Sequence, residues 1–286
     1  MRIANILPAL ALLASGVAAD AKGVHKAKPF SVPFEFYKGH IYVGAFVNGK
    51  GPYRFVFDTG ASGIGRADRR LVTELSLGKV GEEQNSDGIN SAPIDIVSAD
   101  SLRLGSLEQR RVKLLSRDYN LHRKPGEAPV MGIIGRDFYR NRLLTIDYPA
   151  RTISFSVGRL KPRERGVVAY KPSFAIPVCL NIGCYDGKVD SGSNESLIIP
   201  KSLVARLRAS APVHVGSGTS ANTVFEMYEM QLIDPVRISG VTVMGQKLLY
   251  SDPSDDTINI GSGFLKDYVL TIDQHHRLLR ISKSER

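Results

Sequence analysis

Two tripeptides, Asp58-Thr59-Gly60 and Asp190-Ser191-Gly192, constrain this chain more than anything else in it. Each follows an apolar, strand-like run, and each leads into small residues and then a Leu-Val…Leu pattern of helical spacing. A gapless offset of 132 residues lays Asp58 on Asp190, Gly60 on Gly192, Leu71 on Leu203, Val72 on Val204 and Leu75 on Leu207. A lone Asp-Ser/Thr-Gly is weak, with about 0.1 expected by chance at average composition in a chain of this length. Two in the same surroundings point to a duplicated unit that brings two aspartates together, and a repeat of this kind sets the architecture before any other consideration.

The ends of the two halves repeat as well. Ile134-Gly135-Arg136-Asp137-Phe138 runs on to Leu144-Thr145-Ile146-Asp147 and Arg151. Ile260-Gly261-Ser262-Gly263-Phe264 runs on to Leu270-Thr271-Ile272-Asp273 and Arg277 at an offset of 126. The middles match more loosely, Asp100-Ser101-Leu102-Arg103-Leu104 against Asp234-Pro235-Val236-Arg237-Ile238. Three similarities in one order define two homologous halves.

Most of the chain reads as β, in short Val/Ile/Phe/Tyr-rich runs separated by turns. They include residues 41–47, 53–57, 112–115, 143–146 and 152–157, then 175–180, 185–189, 236–238, 241–243, 269–272 and 278–281. The turn Asn48-Gly49-Lys50-Gly51-Pro52 closes a hairpin ahead of Asp58. Helices are few and short: 69–75, its counterpart 201–208 with Pro200 at the first helical position, and a turn after each Ile-Gly, at 137–140 and 263–267. The fold class is therefore all-β. Residues 159–166 are charged, contain Pro and Gly, and lack periodicity, which makes them the linker. The expected division is 1–19 leader, 20–160 first lobe and 161–286 second lobe.

The leader is read from Arg2, the apolar stretch from Ile3 to Leu13, and the small residues Ala14 to Ala19. That is the pattern of a secretory signal peptide cleaved after Ala19, and the stretch is well short of the roughly 20 residues a membrane span needs. The expectation is a soluble, exported protein, periplasmic or secreted, with no membrane span. Two cysteines, Cys179 and Cys184, flank a four-residue hairpin loop. They make either a cross-hairpin disulfide, suited to an oxidising compartment, or two buried free thiols. A bridge would fix the hairpin that leads to Asp190. No metal site is expected, because no histidine has ligand-like spacing to this pair. His275-His276 reads as a solvated pair in a turn. The net charge of +10 includes clusters at Arg66/Arg69/Arg70, Arg110/Arg111 and residues 161–165. They read as solvated surface, and no aromatic-interleaved basic motif argues for nucleic acid.

The residues Phe55-Val56-Phe57-Asp58-Thr59-Gly60-Ala61-Ser62 with Gly132-Ile133-Ile134-Gly135, and their second copy Lys188-Val189-Asp190-Ser191-Gly192 with Ile258-Asn259-Ile260-Gly261, resemble the retropepsin-like aspartic peptidases. The resemblance is to an exported, bacterial-type form carrying both lobes on one chain. It implies a bilobal acid-protease fold of two homologous β-barrel lobes, and hydrolysis of extended polypeptide substrate by water activated at an Asp58/Asp190 dyad. It implies that Gly60 and Gly192 shape the turns, that Thr59 and Ser191 lock them together, and that Gly135 and Gly261 buttress them. No cofactor is implied, and a monomer suffices. Flaps are expected at residues 82–93 and 217–226. Three departures stand out: Asn259 replaces an apolar residue, Glu195 stands where the first half has Gly63, and neither flap carries the tyrosine of pepsin-like flaps. The alternative reading is a catalytically silent peptide-binding protein of the same fold. A glycosidase using two carboxylates is disfavoured, since sugar sites favour aromatic platforms and the chain has no Trp.

Overall fold

The hairpin ahead of Asp58 shows how local chemistry builds the fold. Asn48 and Gly49 both take positive φ, 50° and 76°, the backbone that a tight two-residue turn demands. His40–Val47 and Lys50–Phe57 then pair antiparallel, with Val47 opposite Lys50. Phe55 and Phe57 point to one face and are fully buried, while Val56 faces the other way with Tyr42 and Val130. The computed structural model describes residues 28–121, 123–124 and 126–284. The expected leader, residues 1–19, lies outside them.

Three sheets account for the described strands. The first-half sheet runs in the order Glu35–Tyr37, His40–Val47, Lys50–Phe57, Gly132–Ile134, Gly65–Asp68, Leu107–Arg117, Ser91–Leu104, Lys79–Ser86. It curls back on itself, because the far end of Ser91–Leu104 also pairs with His40–Val47 at Leu102 and Arg103. The second-half sheet repeats the same sequence of neighbours: Gly183–Asp190, Ile258–Gly261, Leu197–Ile198, Lys247–Asp252, Val224–Gln231, Val213–Thr219. The long strand Ser91–Leu104 has become two pieces here, Val224–Gln231 and Val236–Ile238. Pro235 sits at the break. It has no N–H to give a ladder, and Asp100-Ser101-Leu102 continues where Asp234-Pro235-Val236 cannot.

The third sheet joins the halves in the order Phe30–Pro33, Thr152–Ser156, Leu143–Asp147, Val269–Asp273, Leu278–Ser282, Val167–Ala169. At its middle Leu143–Asp147 pairs antiparallel with Val269–Asp273, Thr145 opposite Thr271. Those threonines are equivalent by the 126-residue offset, so the pseudo-two-fold axis passes between them. One continuous apolar cluster runs through both halves, from Ile41 and Phe57 to Val189 and Ile281. The fold is all-β, with two lobes of homologous strand order and a few short helices.

The helix Arg69–Leu75 forms as expected. Asp68 caps it by accepting from Arg70 N–H at 2.9 Å, Leu71 is its buried anchor, and Ser76 ends it in the left-handed region. Its counterpart differs from expectation. Lys201–Arg206 is a 3₁₀ turn, and Pro200 precedes the first helical residue instead of occupying it. Leu203 N–H bonds to Pro200 O at 3.0 Å, the i to i+3 pattern of the tighter helix, and Arg208 leaves the turn to pair with Asp234 at 3.2 Å. The turns after the Ile-Gly pairs also begin one residue early, at Arg136 and Ser262.

Candidate active site

Asp58 and Asp190 each stand at the end of an inner strand, and the two strands meet at the pseudo-two-fold axis. Behind each turn runs the Ile-Gly strand, paired in parallel: Phe57 opposite Ile134, and Asp190 opposite Gly261. Gly135 and Gly261 let carbonyls come close. A Cβ on either would lie 2.5 Å from Gly63 O or 2.3 Å from Glu195 O. The chain then donates across the turn, Asp137 N–H to Gly63 O at 3.0 Å and Gly263 N–H to Glu195 O at 2.9 Å.

The two turns are locked by a symmetric lattice of four hydrogen bonds. Thr59 N–H donates to Ser191 Oγ and Ser191 N–H to Thr59 Oγ1, both at 3.0 Å. The hydroxyls pass the bonds on, Thr59 Oγ1 to Val189 O at 3.0 Å and Ser191 Oγ to Phe57 O at 2.9 Å. Both residues are fully buried, so each hydroxyl needs these partners. The lattice pulls the lobes together until each carboxyl lies over the other turn's glycine. A Cβ on Gly60 would be 2.5 Å from Asp190 Oδ1, and one on Gly192 would be 2.3 Å from Asp58 Cγ. Only a residue without a side chain fits at either position.

The carboxyls are held differently. Asp58 Oδ1 accepts from Gly60 N–H at 2.7 Å and Ala61 N–H at 3.0 Å. Asp190 Oδ1 accepts from Gly192 N–H at 2.9 Å, and its Oδ2 accepts from Asn259 Nδ2 at 2.9 Å. Burial, and then the neighbouring Asp190 charge, raise the Asp58 carboxyl to about 7, with Arg66 acting in the opposite direction. The pair therefore keeps a proton up to about neutral pH, with Asp58 as its carrier.

Other residues around the dyad escaped the sequence reading. Ser262 Oγ donates to Ser191 O and meets Tyr148 Oη, both at 3.1 Å. Ser262 is the 126-residue counterpart of Arg136, which donates to Gly60 O at 3.3 Å, so the repeat could have revealed it. His40 lines the cleft on the Asp190 side and uses Nδ1 on Lys38 O at 3.0 Å. Burial lowers its pKa. Asn259 changes character once placed: the apparent misfit is a hydrogen-bond donor to Asp190.

A cleft of about 1200 Å³ lies over the dyad, larger than the 300–1,000 Å³ typical of small-molecule sites. Two hairpins cover it, Lys79–Ser86 with Ser91–Leu104 and Val213–Thr219 with Val224–Gln231. They hold the two segments read as flaps, and their tips meet. Asn222 N–H donates to Asp87 Oδ2 at 2.8 Å, Ser220 Oγ reaches the same oxygen, and Asn90 Nδ2 donates to Thr223 Oγ1 at 3.0 Å. Among the described residues no group of three or more His, Cys, Asp or Glu is arranged to hold a metal ion.

Cys179 and Cys184 are direct cross-strand partners joined by a disulfide. The bridge lies at the opposite end of Gly183–Asp190 from Asp190, so it does not brace the active-site turn. His276 is not simply solvated. Its Nδ1 meets the buried Asp273 Oδ2 at 2.8 Å. Nor is Arg66 a surface cation: only 9% of it is exposed.

The family model described as "Aspartyl protease" matches residues 43–138, the stretch from the first inner hairpin through Asp58 to the Ile-Gly turn. The match supports the aspartyl protease family, and with it a peptidase class of hydrolase acting on polypeptide. A search of curated proteins finds no match. Among the described residues no helix is long and apolar enough to cross a membrane.

Proposed function

We propose that this chain is an aspartic endopeptidase whose two lobes contribute Asp58 and Asp190 to a single catalytic dyad. The observation that carries the reading is the pair of carboxyls crossed over Gly192 and Gly60, with Asp58 raised to about 7 by burial and by its neighbour. One carboxyl protonated and one ionised supply an acid and a base at the same point. An extended peptide lies between the dyad and the two hairpins. Asp190 takes a proton from water as the oxygen adds to the scissile carbonyl carbon, and Asp58 gives its proton to the carbonyl oxygen. Collapse of the tetrahedral species reverses both transfers. Asp190 protonates the leaving nitrogen, the C–N bond breaks, and Asp58 recovers its proton from the hydroxyl. No group outside the chain is needed for the balance.

Both aspartates sit on one chain, so the reading includes activity as a monomer. Export to the periplasm or medium also belongs to it, supported by the pattern of residues 1–19 and by the disulfide. The test is digestion of a peptide library by the purified mature chain between pH 3 and 8, with and without a statine-type inhibitor. Inhibitor-sensitive internal cleavage is expected. Selective peptide binding without cleavage at any pH would replace the reading with a silent peptide-binding protein.

A further inference from the structure

The wall of the cleft beside Asp58 is polar where an apolar side-chain pocket would be simplest. Arg66 lies on Gly65–Asp68, directly across the ladder from Ile133, and lines the cleft. The equivalent position in the second half, by the 132-residue offset, is Ile198, across from Asn259. A guanidinium has thus been placed where the fold accepts an aliphatic side chain.

The Asp58 carboxyl acts on this guanidinium across space, but that carboxyl keeps its proton up to about 7, so it does not serve as a contacting counter-anion. Arg66 makes no salt bridge within 4.0 Å among the described residues. One Nη donates to Asn85 Oδ1 at 3.2 Å, and Nε has no partner. Asn85 is 5% exposed, and its own Nδ2 is buried without a partner. The Arg66 bond fixes which way that amide faces. Tyr119 Oη, on the same wall, is buried beside Arg66, and its own proton has no acceptor. The nearby carboxylates are committed elsewhere. Asp68 accepts from Arg70 N–H at 2.9 Å and Tyr119 N–H at 2.7 Å. Asp95 pairs with Lys79 at 2.8 Å, and Asp118 accepts from Asn120 N–H at 2.8 Å. A buried cation beside two unsatisfied donors is costly unless an anion completes the set.

We infer that this wall is a side-chain pocket for an acidic residue of the substrate, with Arg66 as its counter-charge and Asn85 and Tyr119 as its hydrogen-bond donors. A carboxylate is the group that fits. It only accepts, it has two oxygens, and a guanidinium edge matches them. The inference rests on the endopeptidase reading for the route by which a peptide enters, and it adds a preference for Glu or Asp on the Asp58 side of the scissile bond.

The test uses matched peptides with blocked termini that differ at one position, Glu, Gln or Leu, scanned across the residues flanking a mapped cleavage site. A parallel set carries a free C-terminal carboxylate. At one position Glu is expected to exceed Gln and Leu in kcat/KM by at least about tenfold, the size of one charge-assisted hydrogen bond. Arg66→Met should erase that preference, and Arg66→Lys should retain part of it. Three results would overturn the pocket: no Glu preference in the wild type, a gain only in the free-acid set, or an Arg66→Met enzyme whose pH profile shifts equally for all peptides while the Glu/Leu ratio stays put. Absence of any cleavage would instead strike the endopeptidase reading. Anisotropy binding of the same peptides to the wild type then decides the pocket, with Glu-selective binding supporting it and equal binding removing it.

Discussion

The side-chain amide of Asn259 donates to Asp190 at 2.9 Å, and Ile133, its counterpart beside Asp58, has nothing to donate. This difference breaks the two-fold symmetry of the dyad. Both oxygens of Asp190 accept a hydrogen bond, while both bonds to Asp58 fall on Oδ1 and leave Oδ2 free to carry the proton, so the proton has a preferred home on Asp58. Replacing Asn259 by Leu should lower kcat about ten- to a hundredfold, the worth of one hydrogen bond to a charged group, with KM little changed. Steady-state kinetics on a mapped peptide checks this, and an unchanged kcat would show that the amide plays no part.

The proposed mechanism gives the carboxyls distinct roles, so neither can cover for the other. Asp58→Asn and Asp190→Asn should each cut kcat/KM by about 10³-fold or more, with circular dichroism and oligomeric state unchanged. Near-normal turnover by either variant would dissolve the dyad.

The raised Asp58 carboxyl makes two pH predictions. Activity needs the singly protonated pair, so it should fall as pH rises through about 7. Stability follows the same group. In the unfolded chain it loses its proton near 3.8, while the folded protein holds it to about 7. Its contribution is full below 3.8 and is lost progressively as pH rises to about 7. Asp58→Asn has no such loss. The Tm of the variant minus that of the wild type should therefore widen from pH 4 to pH 8 in calorimetry. A constant gap would contradict the assignment.

The hairpin tips are joined through Asp87. Burial pushes its carboxyl up, but the Ser220 hydroxyl and the N–H groups of Asn90, Ile89 and Asn222 outweigh that and hold it well below the ordinary carboxylate range. Acid at pH 4 should leave the contact intact. Asp87→Ala removes the shared acceptor, and KM should rise by about tenfold or more, the worth of a hydrogen bond to a charged group, at pH 4 and pH 6 alike. A change at only one of those values would mean that the carboxylate titrates between them.

The disulfide makes the opposite kind of prediction. It closes a short loop at the end of Gly183–Asp190 far from the dyad, so its effect is on stability, of order 2 kcal/mol. Cys179→Ser/Cys184→Ser should lower Tm while leaving kcat/KM within about twofold, since the bridge touches no catalytic group. Loss of activity without loss of stability would tie the bridge to the active-site turn after all.

The duplicated Asp-Thr-Gly and Asp-Ser-Gly, and the Ile-Gly pairs behind them, were legible because each half states them locally. So were the flap hairpins, whose Gly, Ser and Asn tips mark turns wherever they fall. What escaped depends on neighbours distant in sequence. Phe30–Pro33 alternates over only four residues and ends in Pro33, a signal too short to read alone, and it is a strand because Thr152–Ser156 offers it an edge. Arg66 reads as one of three surface arginines until Gly65–Asp68 is wedged between Gly132–Ile134 and Leu107–Arg117. Asn259 looks like an error in an apolar pattern until Asp190 is set beside it. Lys201–Arg206 shortens to a 3₁₀ turn where Pro200 stands in the cap position without a side-chain bond, while Arg69–Leu75 is capped by Asp68.

The pairing of Leu143–Asp147 with Val269–Asp273 also governs how the molecule can be made. When the first half leaves the ribosome, the strand that will become the centre of the shared sheet has one open edge, and its partner is more than a hundred residues from being synthesised. An open edge of that kind pairs with whatever strand it meets. Because the crossing is a two-fold with Thr145 opposite its own equivalent, the best available stranger is another nascent first half. The covalent link between the lobes supplies that edge with a partner of its own, Val269–Asp273, in preference to a strand from another copy.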